Sequence, residues 1–377
     1  MKLALYTSAK IYGPIQTGGV KRFAELTEYV NKEIKDAMLF TNDNEDVLKE
    51  HGINNYIILR EGKRIGVLPP EVQKILSNKS IVKQIKRDNF DNVVVFDVPP
   101  AVGLILLGVR NVVLMIRKDM IGYEKVNNRS VTKWMKICFQ WICESICMLK
   151  SKKIITQCDY DKNVLKKRHP LLAKMIDEKT AVQINNVNPS WIVKKSGKSI
   201  AETNVLWNKQ KFIVCFIGGF DNPRKGQDLF LAAATEILKN DSDVQFVLIG
   251  GGSKIEEYKK KYESEDIIFL GRQENPLGIL KKCDLLVVPS YADSCPNTVM
   301  EALYNSVPVV GSRAGGIPEI LVDDNALFDL NADDLLKLII KLKNNNEAMM
   351  ELKERQKLRK EELTFDWASK IVDIISK

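Results

Sequence analysis

Short apolar runs rich in β-branched residues alternate with amphipathic stretches along the first half of the chain. The runs are "KLALYT", "DAMLF", "NVVVFD", "NVVLMI" and "KIITQ", and helical patterns at 20–32, 70–88 and 130–150 lie between them. Runs of this length are typical of buried strands. Their alternation with helices predicts a parallel, doubly wound sheet.

The same pattern restarts in the second half with "FIVCFIGG", "VQFVLIGG", "IIFLG", "DLLVVPS" and "VPVVGS", and a last helix is predicted over 365–376. A polar segment without clear period, "SWIVKKSGKSIAETNVLWNKQK", separates the two series and predicts a linker. We therefore predict an α/β chain of two Rossmann-like domains facing across a cleft, where the carboxyl ends of both sheets would meet a ligand. The predicted segments are a first domain at 1–192, a linker at 193–210, a second domain at 211–362 and a closing segment at 363–377.

The composition argues against a membrane-spanning protein, a secreted protein and a histidine-based metal site. The 377 residues suit two domains, and the chain has no apolar stretch of membrane-spanning length and no signal-peptide pattern at its start. Seven cysteines without metal spacing predict reduced thiols in the cytoplasm. The two histidines leave almost no material for a histidine-based metal site or catalytic triad, and no metal site is predicted.

The positive charge is concentrated in the first half of the chain. Residues 1–190 contain 31 Lys/Arg and 20 Asp/Glu, a net charge of +11, whereas the remainder carries −2. Such a face could meet anionic lipid, nucleic acid or an acidic substrate, or could be a merely soluble surface. Nucleic acid is the weakest of these, because no aromatic-plus-basic motif accompanies the charge. The helix at 130–150, rich in Trp, Cys and Ile, could dock on a membrane, but its pattern favours a buried core helix.

Two turns between a strand and a helix carry paired glycines. Gly18-Gly19 follows the first strand, with Lys21 and Arg22 just inside the helix, and Gly218-Gly219 comes before Arg224-Lys225-Gly226 in the second half. Backbone can approach a ligand at such glycines, and a helix N-terminus with cations suits a phosphate. A tight turn explains the glycines equally well. Neither a Walker loop nor a dinucleotide GxGxxG fingerprint is present.

Two carboxylates frame the segment "PSYADSCPNTVMEA". Asp293 is predicted in the loop after a strand, and Glu301 in a helix that begins near Asn297-Thr298. Backbone N–H groups of 297–299 would suit a phosphate or a sugar hydroxyl, and the carboxylates could accept from sugar diols. Alternatively, Asp293 merely occupies a turn and Glu301 is a solvated first-turn acid. A further Gly-Gly turn, "AGGIPE" at 314–319, argues for a binding edge.

Together these residues resemble the retaining glycosyltransferases of the GT-B fold, family 4 (glycosyl transferases group 1). The resemblance covers essentially the whole chain and is strongest from 212 to 320. Asp293 and Glu301 have the spacing of that family's E-x7-E acids, Lys225 lies in its K-G turn, and 315–319 is its G-G-I-P-E segment. It implies that the first domain is the acceptor side, that the second binds the nucleotide sugar, and that the last helix returns to the first domain.

The resemblance also implies the roles of single residues. Asp293 would hold the transferred sugar, Glu301 the ribose and Lys225 the diphosphate, with main chain at Gly271-Arg272 against the base. Helix N-termini at 297–299 and 315–317 would stabilise the leaving charge. The predicted catalytic set is Asp293, Lys225, Arg224, Arg117 and Asp119. The predicted donor-binding set is Gly18, Gly19, Gly218, Gly271, Arg272, Asn297, Thr298, Val299, Glu301, Gly315 and Gly316.

Three departures from the family pattern affect the predicted chemistry. The first acid is Asp rather than Glu, and Gly219 stands where the family often has Arg, a loss for which Arg224, or Lys21 and Arg22, would compensate. The usual histidine of the first domain is absent, and its segment, "VVLMIRKDMIGY", offers Arg117 or Asp119 instead. In "INNVNPSW", Asn186 replaces a family Gly, which suits a left-handed backbone.

We therefore predict metal-independent transfer of a sugar, with retention, from a nucleotide-diphospho-sugar such as a UDP- or GDP-sugar to a glycan or lipid-linked acceptor, without a further cofactor. A place in cell-surface polysaccharide biosynthesis is expected, in the cytoplasm and peripheral on the inner face of the plasma membrane. A catalytically silent donor-binding or scaffold protein and a GT-B sugar-nucleotide epimerase are the alternatives. An epimerase would need more acid/base residues in its cleft than this chain offers.

Overall fold

The computed structural model describes residues 1–13, 17–59, 79–117, 119–122, 133–196 and 210–377. Among these residues the chain divides into two compact units. The first comprises 1–122, 133–184 and 366–377, and the second comprises 185–365. Each unit is described by itself below.

The first unit is a sheet with helices in the connections between its strands. Its strands are β1 (Leu3–Tyr6), β2 (Ala37–Thr41), β3 (Tyr56–Ile58), β4 (Asn92–Phe96), β5 (Val112–Ile116), β6 (Lys153–Thr156) and β7 (Thr180–Val182). Its helices are α1 (Gly18–Glu33), α2 (Glu45–Glu50), α3 (Lys79–Asp88), α4 (Val98–Leu106), α5 (Lys133–Lys150), α6 (Asp159–Arg168), α7 (Ala173–Lys179) and, from the end of the chain, α16 (Trp367–Ser376).

All seven strands are parallel, in the order β3-β2-β1-β4-β5-β6-β7. β1 pairs with β2 on one side and with β4 on the other, so the strand order reverses between β1 and β4. The β-branched runs read from the sequence form the interior: Val93, Val95 and Leu114 are at most 1% exposed. The five strands predicted in this half are confirmed. β3 and β7 were not predicted, because three residues are too few to show a period.

Helix α5 differs from its expectation. Cys147 and Met148 are fully buried, but six large apolar side chains of the same helix are exposed. The prediction of a buried core helix is therefore wrong for most of its surface. The first residues of the predicted 130–150 helix, and 70–78 of the predicted 70–88 helix, lie outside the described residues.

The second unit repeats the architecture. Its strands are β8 (Phe212–Ile217), β9 (Val244–Ile249), β10 (Ile267–Gly271), β11 (Leu285–Val288), β12 (Val309–Ser312) and β13 (Leu327–Phe328). Its helices are α8 (Ser190–Ser196), α9 (Gln227–Leu238), α10 (Ile255–Tyr262), α11 (Pro276–Leu280), α12 (Asn297–Tyr304), α13 (Ile317–Leu321), α14 (Ala332–Asn344) and α15 (Asn346–Glu362). The six strands are parallel in the order β10-β9-β8-β11-β12-β13. The five strands predicted here are confirmed, and the two-residue β13 was missed.

The borders between the units differ from the predicted ones. Asn185 already belongs to the second unit, where its side-chain amide donates to the carbonyl of Cys295 at 3.2 Å and to Asn297 Oδ1 at 3.1 Å. Helix α8 occupies the start of the segment predicted as a linker, and 197–209 lies outside the described residues.

The last helix packs on the first unit. α16 begins after Asp366, whose carboxylate caps it by accepting from the N–H of Ser369 at 2.9 Å. Trp367 is 1% exposed, and the guanidinium of Arg22 in α1 lies 5.4 Å from its ring centroid. Among the described residues, no helix is long and apolar enough to cross a membrane.

Candidate functional site

The strand order of the second unit marks one place on its sheet edge. β8 is the first strand of this unit, and its neighbours β9 and β11 continue the order in opposite directions. In open parallel sheets, ligands bind outside the carboxyl ends of the strands at such a reversal, because the loops of the two central strands diverge there. The loops that follow β8 and β11 contain the predicted cations and the predicted carboxylate Asp293.

These two loops are bound to each other. The ammonium group of Lys225 donates to Asp293 Oδ2, in an ion pair whose side chains are 24% and 12% exposed. Tyr291 donates its N–H to the carbonyl of Arg224 at 2.8 Å, and Arg224 Nη1 donates to the carbonyl of Ala292 at 2.6 Å. The guanidinium group predicted as a second diphosphate cation therefore holds the loop after β11.

The turn after β12 supports Asp293 from the other side. Gly316 donates its N–H to the carbonyl of Asp293 at 2.9 Å, and Gly315 has a φ of +60°. A Cβ on Gly315 would overlap the backbone of Asp293, lying 2.8 Å from its N and 2.9 Å from its C. Gly226, with φ +77°, meets Pro289 in the same way, 2.7 Å from its carbonyl carbon. Both glycines are needed for close approach as well as for their backbone conformation.

Helix α12 places Glu301 in the interior of this edge, 7% exposed, rather than in solvent. The alternative of a solvated first-turn acid is therefore wrong. One of the three N–H groups predicted to face a ligand at this helix N-terminus is used within the protein, because the N–H of Val299 donates to the carbonyl of Pro296 at 3.1 Å. In the next turn Gly316 is engaged as described above, and the N–H of Ile317 donates to Ala314 at 3.3 Å. Asn297 and Thr298 are half-buried at the start of α12.

Glycines also line the loops after β8, β9 and β10. Gly218 donates its N–H to Ile249 at 2.9 Å, and the backbone of Gly250 lies so close to Gly218 that a Cβ would overlap it. Gly271 ends β10 with φ +65° and has open space where a Cβ would lie, while Arg272 beside it is exposed. At these glycines the main chain, rather than a side chain, forms the surface of the sheet edge.

Two side chains on this edge have shifted pKa values. Asp221 Oδ1 accepts from Ser253 Oγ at 2.8 Å and from the N–H of Lys254 at 3.2 Å. These hydrogen bonds, first the one from the Ser253 side chain, lower the pKa of Asp221. Burial, and then the negative charge of Asp228, raise the pKa of Tyr291. Asp221 thus stays ionised and ties the loop after β8 to the loop after β9.

In the first unit, Arg117 lies at the end of β5 and pairs with a residue that was not predicted. Its Nη2 donates to Asp97 Oδ2 at 2.5 Å, and its guanidinium stacks 4.9 Å from the ring centroid of Phe96. Asp97 has φ +68°, a costly conformation for a residue with a side chain. A Cβ on Gly19 would overlap the guanidinium of Arg117. Arg117 and Asp97 line a cavity of about 180 Å³, which Thr7 also lines.

Asp119 does not join that pair. Its Oδ1 accepts from Arg168 Nη2 at 2.7 Å and from the N–H of Gly122 at 2.9 Å. Arg168 in turn donates to both oxygens of Glu144, at 2.9 and 3.0 Å, and His169 Nε2 lies 2.8 Å from Glu144 Oε2. Of the two candidates near the missing histidine, the structure therefore gives Asp119 a structural network and leaves Arg117 at the sheet edge.

Three further expectations about the site need correction. Gly18 and Gly19 are the first residues of α1 rather than a loop before it. Arg22 is 1% exposed and donates to Glu25 Oε2 at 2.9 Å, so it cannot face a phosphate. Asn186 is not among the residues with positive φ; its side-chain amide instead donates to the carbonyl of Phe365 at 2.9 Å.

Asn185 and Asp97 were missed by the sequence reasoning. Asp97 directly follows a fully apolar strand run, which is where functional side chains of parallel sheets lie, so its position was a usable signal. Asn185 gave no signal of its own. In the described part of the chain, no group of three His, Cys, Asp or Glu residues could hold a metal ion.

The chain is similar to known proteins in sequence and in fold. Residues 199–359 match the family model described as glycosyl transferases group 1. Over 162 residues the chain is 34% identical to an uncharacterized glycosyltransferase of Methanocaldococcus jannaschii, covering 41% of this chain and 44% of that protein. Over 134 residues it is 31% identical to a Campylobacter jejuni α-1,4-N-acetyl-D-galactosaminyltransferase named for an undecaprenol-diphosphate-linked glycan, covering 34% of this chain and 37% of that protein. The chain thus matches less than half the length of these curated relatives.

The whole chain is also similar to the solved structure of Anabaena HepE in complex with UDP-glucose. The TM-score is 0.71 at 15% identity, covering 100% of this chain and 99% of that one. With its two parallel-sheet, Rossmann-like units, the chain is a protein of the GT-B fold class. Within that class, the residues that match the model of glycosyl transferases group 1 make up most of the second unit.

Proposed function

We propose that this protein is a retaining glycosyltransferase of family 4. It would move a sugar from a nucleotide-diphospho-sugar to a hydroxyl group of a glycan or lipid-linked acceptor. Lys225 would bind the diphosphate, Asp293 the transferred sugar and Glu301 the ribose. Arg224 acts here as a positioning residue, because its guanidinium holds the loop that carries Asp293.

The observation that carries this proposal is the contact between Lys225 and Asp293. In a nucleotide sugar, one oxygen atom joins the β-phosphate to the anomeric carbon. A cation for that phosphate and a carboxylate for that sugar are therefore expected to lie near each other. The pair has this arrangement at the strand-order reversal, where a ligand is expected.

In the proposed step, the bond between the anomeric carbon and the diphosphate oxygen breaks while a bond to the acceptor oxygen forms on the same face of the sugar. The electron pair of the broken bond stays on the diphosphate, and the acceptor's proton passes to a diphosphate oxygen. Lys225 would stabilise the charge that develops there. Asp293 would face the sugar as it becomes oxocarbenium-like. We propose that no metal ion is required.

The acceptor side is assigned to the first unit, whose segment 1–190 carries the net charge of +11. Such a surface favours an anionic or diphosphate-linked acceptor and the anionic inner face of a plasma membrane. A role in cell-surface polysaccharide biosynthesis, in the cytoplasm at that membrane, is supported by the name of the Campylobacter jejuni relative. Gly18, Gly19, Gly218, Gly271 and Arg272 stay predicted donor contacts.

The test is donor binding and turnover by the full chain with a panel of UDP- and GDP-sugars. Calorimetry measures binding, and release of nucleoside diphosphate, with and without added acceptor, measures turnover. Lys225→Ala should weaken binding about 10- to 100-fold, the equivalent of one lost hydrogen bond to a charged group of roughly 1.5–3 kcal/mol. Asp293→Asn should lower turnover far more than it weakens binding of the free nucleoside diphosphate.

A matched control is the ion pair between Lys343 and Asp241, which joins at 2.6 Å elsewhere in the same unit and is 15% and 20% exposed. Lys343→Ala and Asp241→Asn should leave binding and turnover unchanged. Binding without turnover, unaltered by Asp293→Asn, would refute the transferase and favour a silent donor-binding protein. Conversion of a donor into its epimer would show that the protein is a sugar-nucleotide epimerase.

A further inference from the structure

Helix α5 presents an apolar stripe to solvent. Met135, Phe139, Ile142 and Leu149 follow the i, i+4, i+7 and i+14 spacing of one helix face and are 75%, 50%, 51% and 44% exposed. Trp134, on the neighbouring face, is 66% exposed. Soluble surfaces carry single exposed apolar side chains, but a continuous stripe of this kind marks an interaction surface.

A groove of about 1060 Å³ lies at the carboxyl end of the same helix. Four exposed cations line it: Lys86, Arg110, Lys150 and Lys152. None of the side chains that line it is a carboxylate, and none of the four cations forms an ion pair in the described part of the chain. The ammonium group of Lys152 donates to neutral oxygens, Asn92 Oδ1 at 2.8 Å and the carbonyl of Asp91 at 3.2 Å.

The stripe and the groove form one surface. Ile146, between Ile142 and Leu149 on the helix, lines the groove together with Lys150 at the helix end. Leu106 at the end of α4, 68% exposed, adds an apolar side chain to the groove wall. Aliphatic and aromatic side chains thus continue directly into a cluster of four cations for which the described residues supply no ion-pair partner.

We propose that this surface docks on an anionic lipid bilayer. The stripe of α5 would lie among the acyl chains at the interface, and the basic groove would take up the phosphate of a lipid headgroup. The solvent-facing side of α5, apolar with lysines at its edge, has the character of an interfacial helix. Each cation near an anionic leaflet adds attraction.

Two other partners, a second copy of this chain and a nucleic acid, fit this surface less well than a bilayer does. In a second copy of this chain, the same groove would bring Lys86, Arg110, Lys150 and Lys152 against a like-charged surface, without carboxylates to meet them. Nucleic acid would satisfy the cations but would leave the aliphatic stripe of Met135 and Ile142 in water. An anionic bilayer satisfies both parts at once.

The inference names the surface for the membrane association in the proposed function, but it does not depend on sugar transfer. The assay contains no donor, so its outcome and the outcome of the turnover assay are separate. The full chain is sedimented with vesicles of equal parts phosphatidylglycerol and phosphatidylcholine, and with vesicles of phosphatidylcholine alone. Binding is expected to the first kind, and it should fall at about 1 M salt, where the screening length is about 3 Å.

Met135→Glu should weaken this binding roughly 10- to 100-fold, because an apolar side chain leaves the acyl region and a charge enters it. Lys150→Glu should weaken it about 10- to 30-fold, from two units of charge near the surface at about 1 kcal/mol each. Matched controls are Met350→Glu on α15, 66% exposed, and Lys281→Glu on the exposed surface of the second unit. Neither control should change binding.

All four side chains are exposed, so far-UV circular dichroism and the unfolding midpoint should stay as in the parent chain. If Met135→Glu does not fold, Phe139→Glu on the same exposed stripe takes its place beside Lys150→Glu. Three outcomes overturn the proposal: equal binding to neutral vesicles, binding that neither variant weakens, and self-association lost in Met135→Glu without vesicle binding. Displacement from vesicles by an equal charge concentration of duplex DNA would assign the surface to nucleic acid instead.

Discussion

The turn at Gly315 allows the geometry of the candidate site to be tested without changing any charged side chain. Gly315 has a φ of +60°, and a Cβ there would overlap the backbone of Asp293. Asp293 cannot easily withdraw, because Gly316 donates to its carbonyl and Lys225 pairs with its carboxylate. Gly315→Ala should therefore strain the protein and displace the carboxylate predicted to hold the sugar.

The expected magnitude has two parts. A residue with a side chain in the left-handed region costs about 1–2 kcal/mol relative to glycine. Overlap with fixed backbone adds roughly 1–3 kcal/mol, as for overpacking in a dense interior. We therefore expect the free energy of unfolding of the second unit to fall by about 2–5 kcal/mol. Gly271→Ala is the matched control for the first part, since its φ is +65° and nothing lies within 4 Å of the added Cβ.

Two measurements separate strain from function. Denaturant unfolding should show a loss for Gly315→Ala that exceeds the loss for Gly271→Ala by at least about 1 kcal/mol. Calorimetry with the best donor of the panel should show weaker binding for Gly315→Ala, while Gly52→Ala, a glycine of φ +70° in the first unit without neighbours, binds as the parent does. Equal losses of stability for Gly315→Ala and Gly271→Ala, with unchanged donor binding, would refute the close approach of this turn to Asp293.

Two further predictions concern cations of the predicted site. Gly219 is exposed and has room for a side chain, since the nearest atom to an added Cβ is a backbone oxygen at 3.7 Å. Gly219→Arg should tighten donor binding about 5- to 10-fold in calorimetry, whereas the control Gly219→Gln should not. If the arginine gives no gain, the diphosphate binds elsewhere. Arg22→Met should lower the free energy of unfolding by about 2–4 kcal/mol, because it removes a cation from the carboxylate of Glu25, whose side chain is 10% exposed. Donor binding by Arg22→Met should stay within about twofold, and weaker binding at unchanged stability would return Arg22 to a phosphate-facing role.

The elements could be predicted where they are long and periodic. Strand runs such as "NVVVFD" and "FIVCFIGG" carry enough β-branched residues to be recognised, and helix spacers between them imply parallel pairing. Short strands such as β3 and β13 could not be found, because two or three residues show no period. Helix α5 was misjudged because its apolar residues surround the helix, and the sequence does not show which of them meet the sheet.

The candidate site divides in the same way. The resemblance to family 4 named Lys225, Asp293 and Glu301, and the structure brings the first two into contact. The sequence could not predict that Arg224 and Gly316 donate hydrogen bonds to the loop after β11. Both contacts join segments that are separated in the chain. The inward position of Arg22 depends on α16, which packs against α1 from the other end of the chain.

The sequence by itself determined the class of this protein. Its alternation of strand and helix patterns, restarted once, predicted two doubly wound sheets, and its spaced acids and glycine turns predicted a site after particular strands. These are local signals, set by side-chain polarity and backbone freedom within a few residues. Only the tertiary structure decided which donors are used in contacts within the protein and which side of α5 remains in solvent. Those outcomes depend on contacts between distant segments, which no local pattern contains.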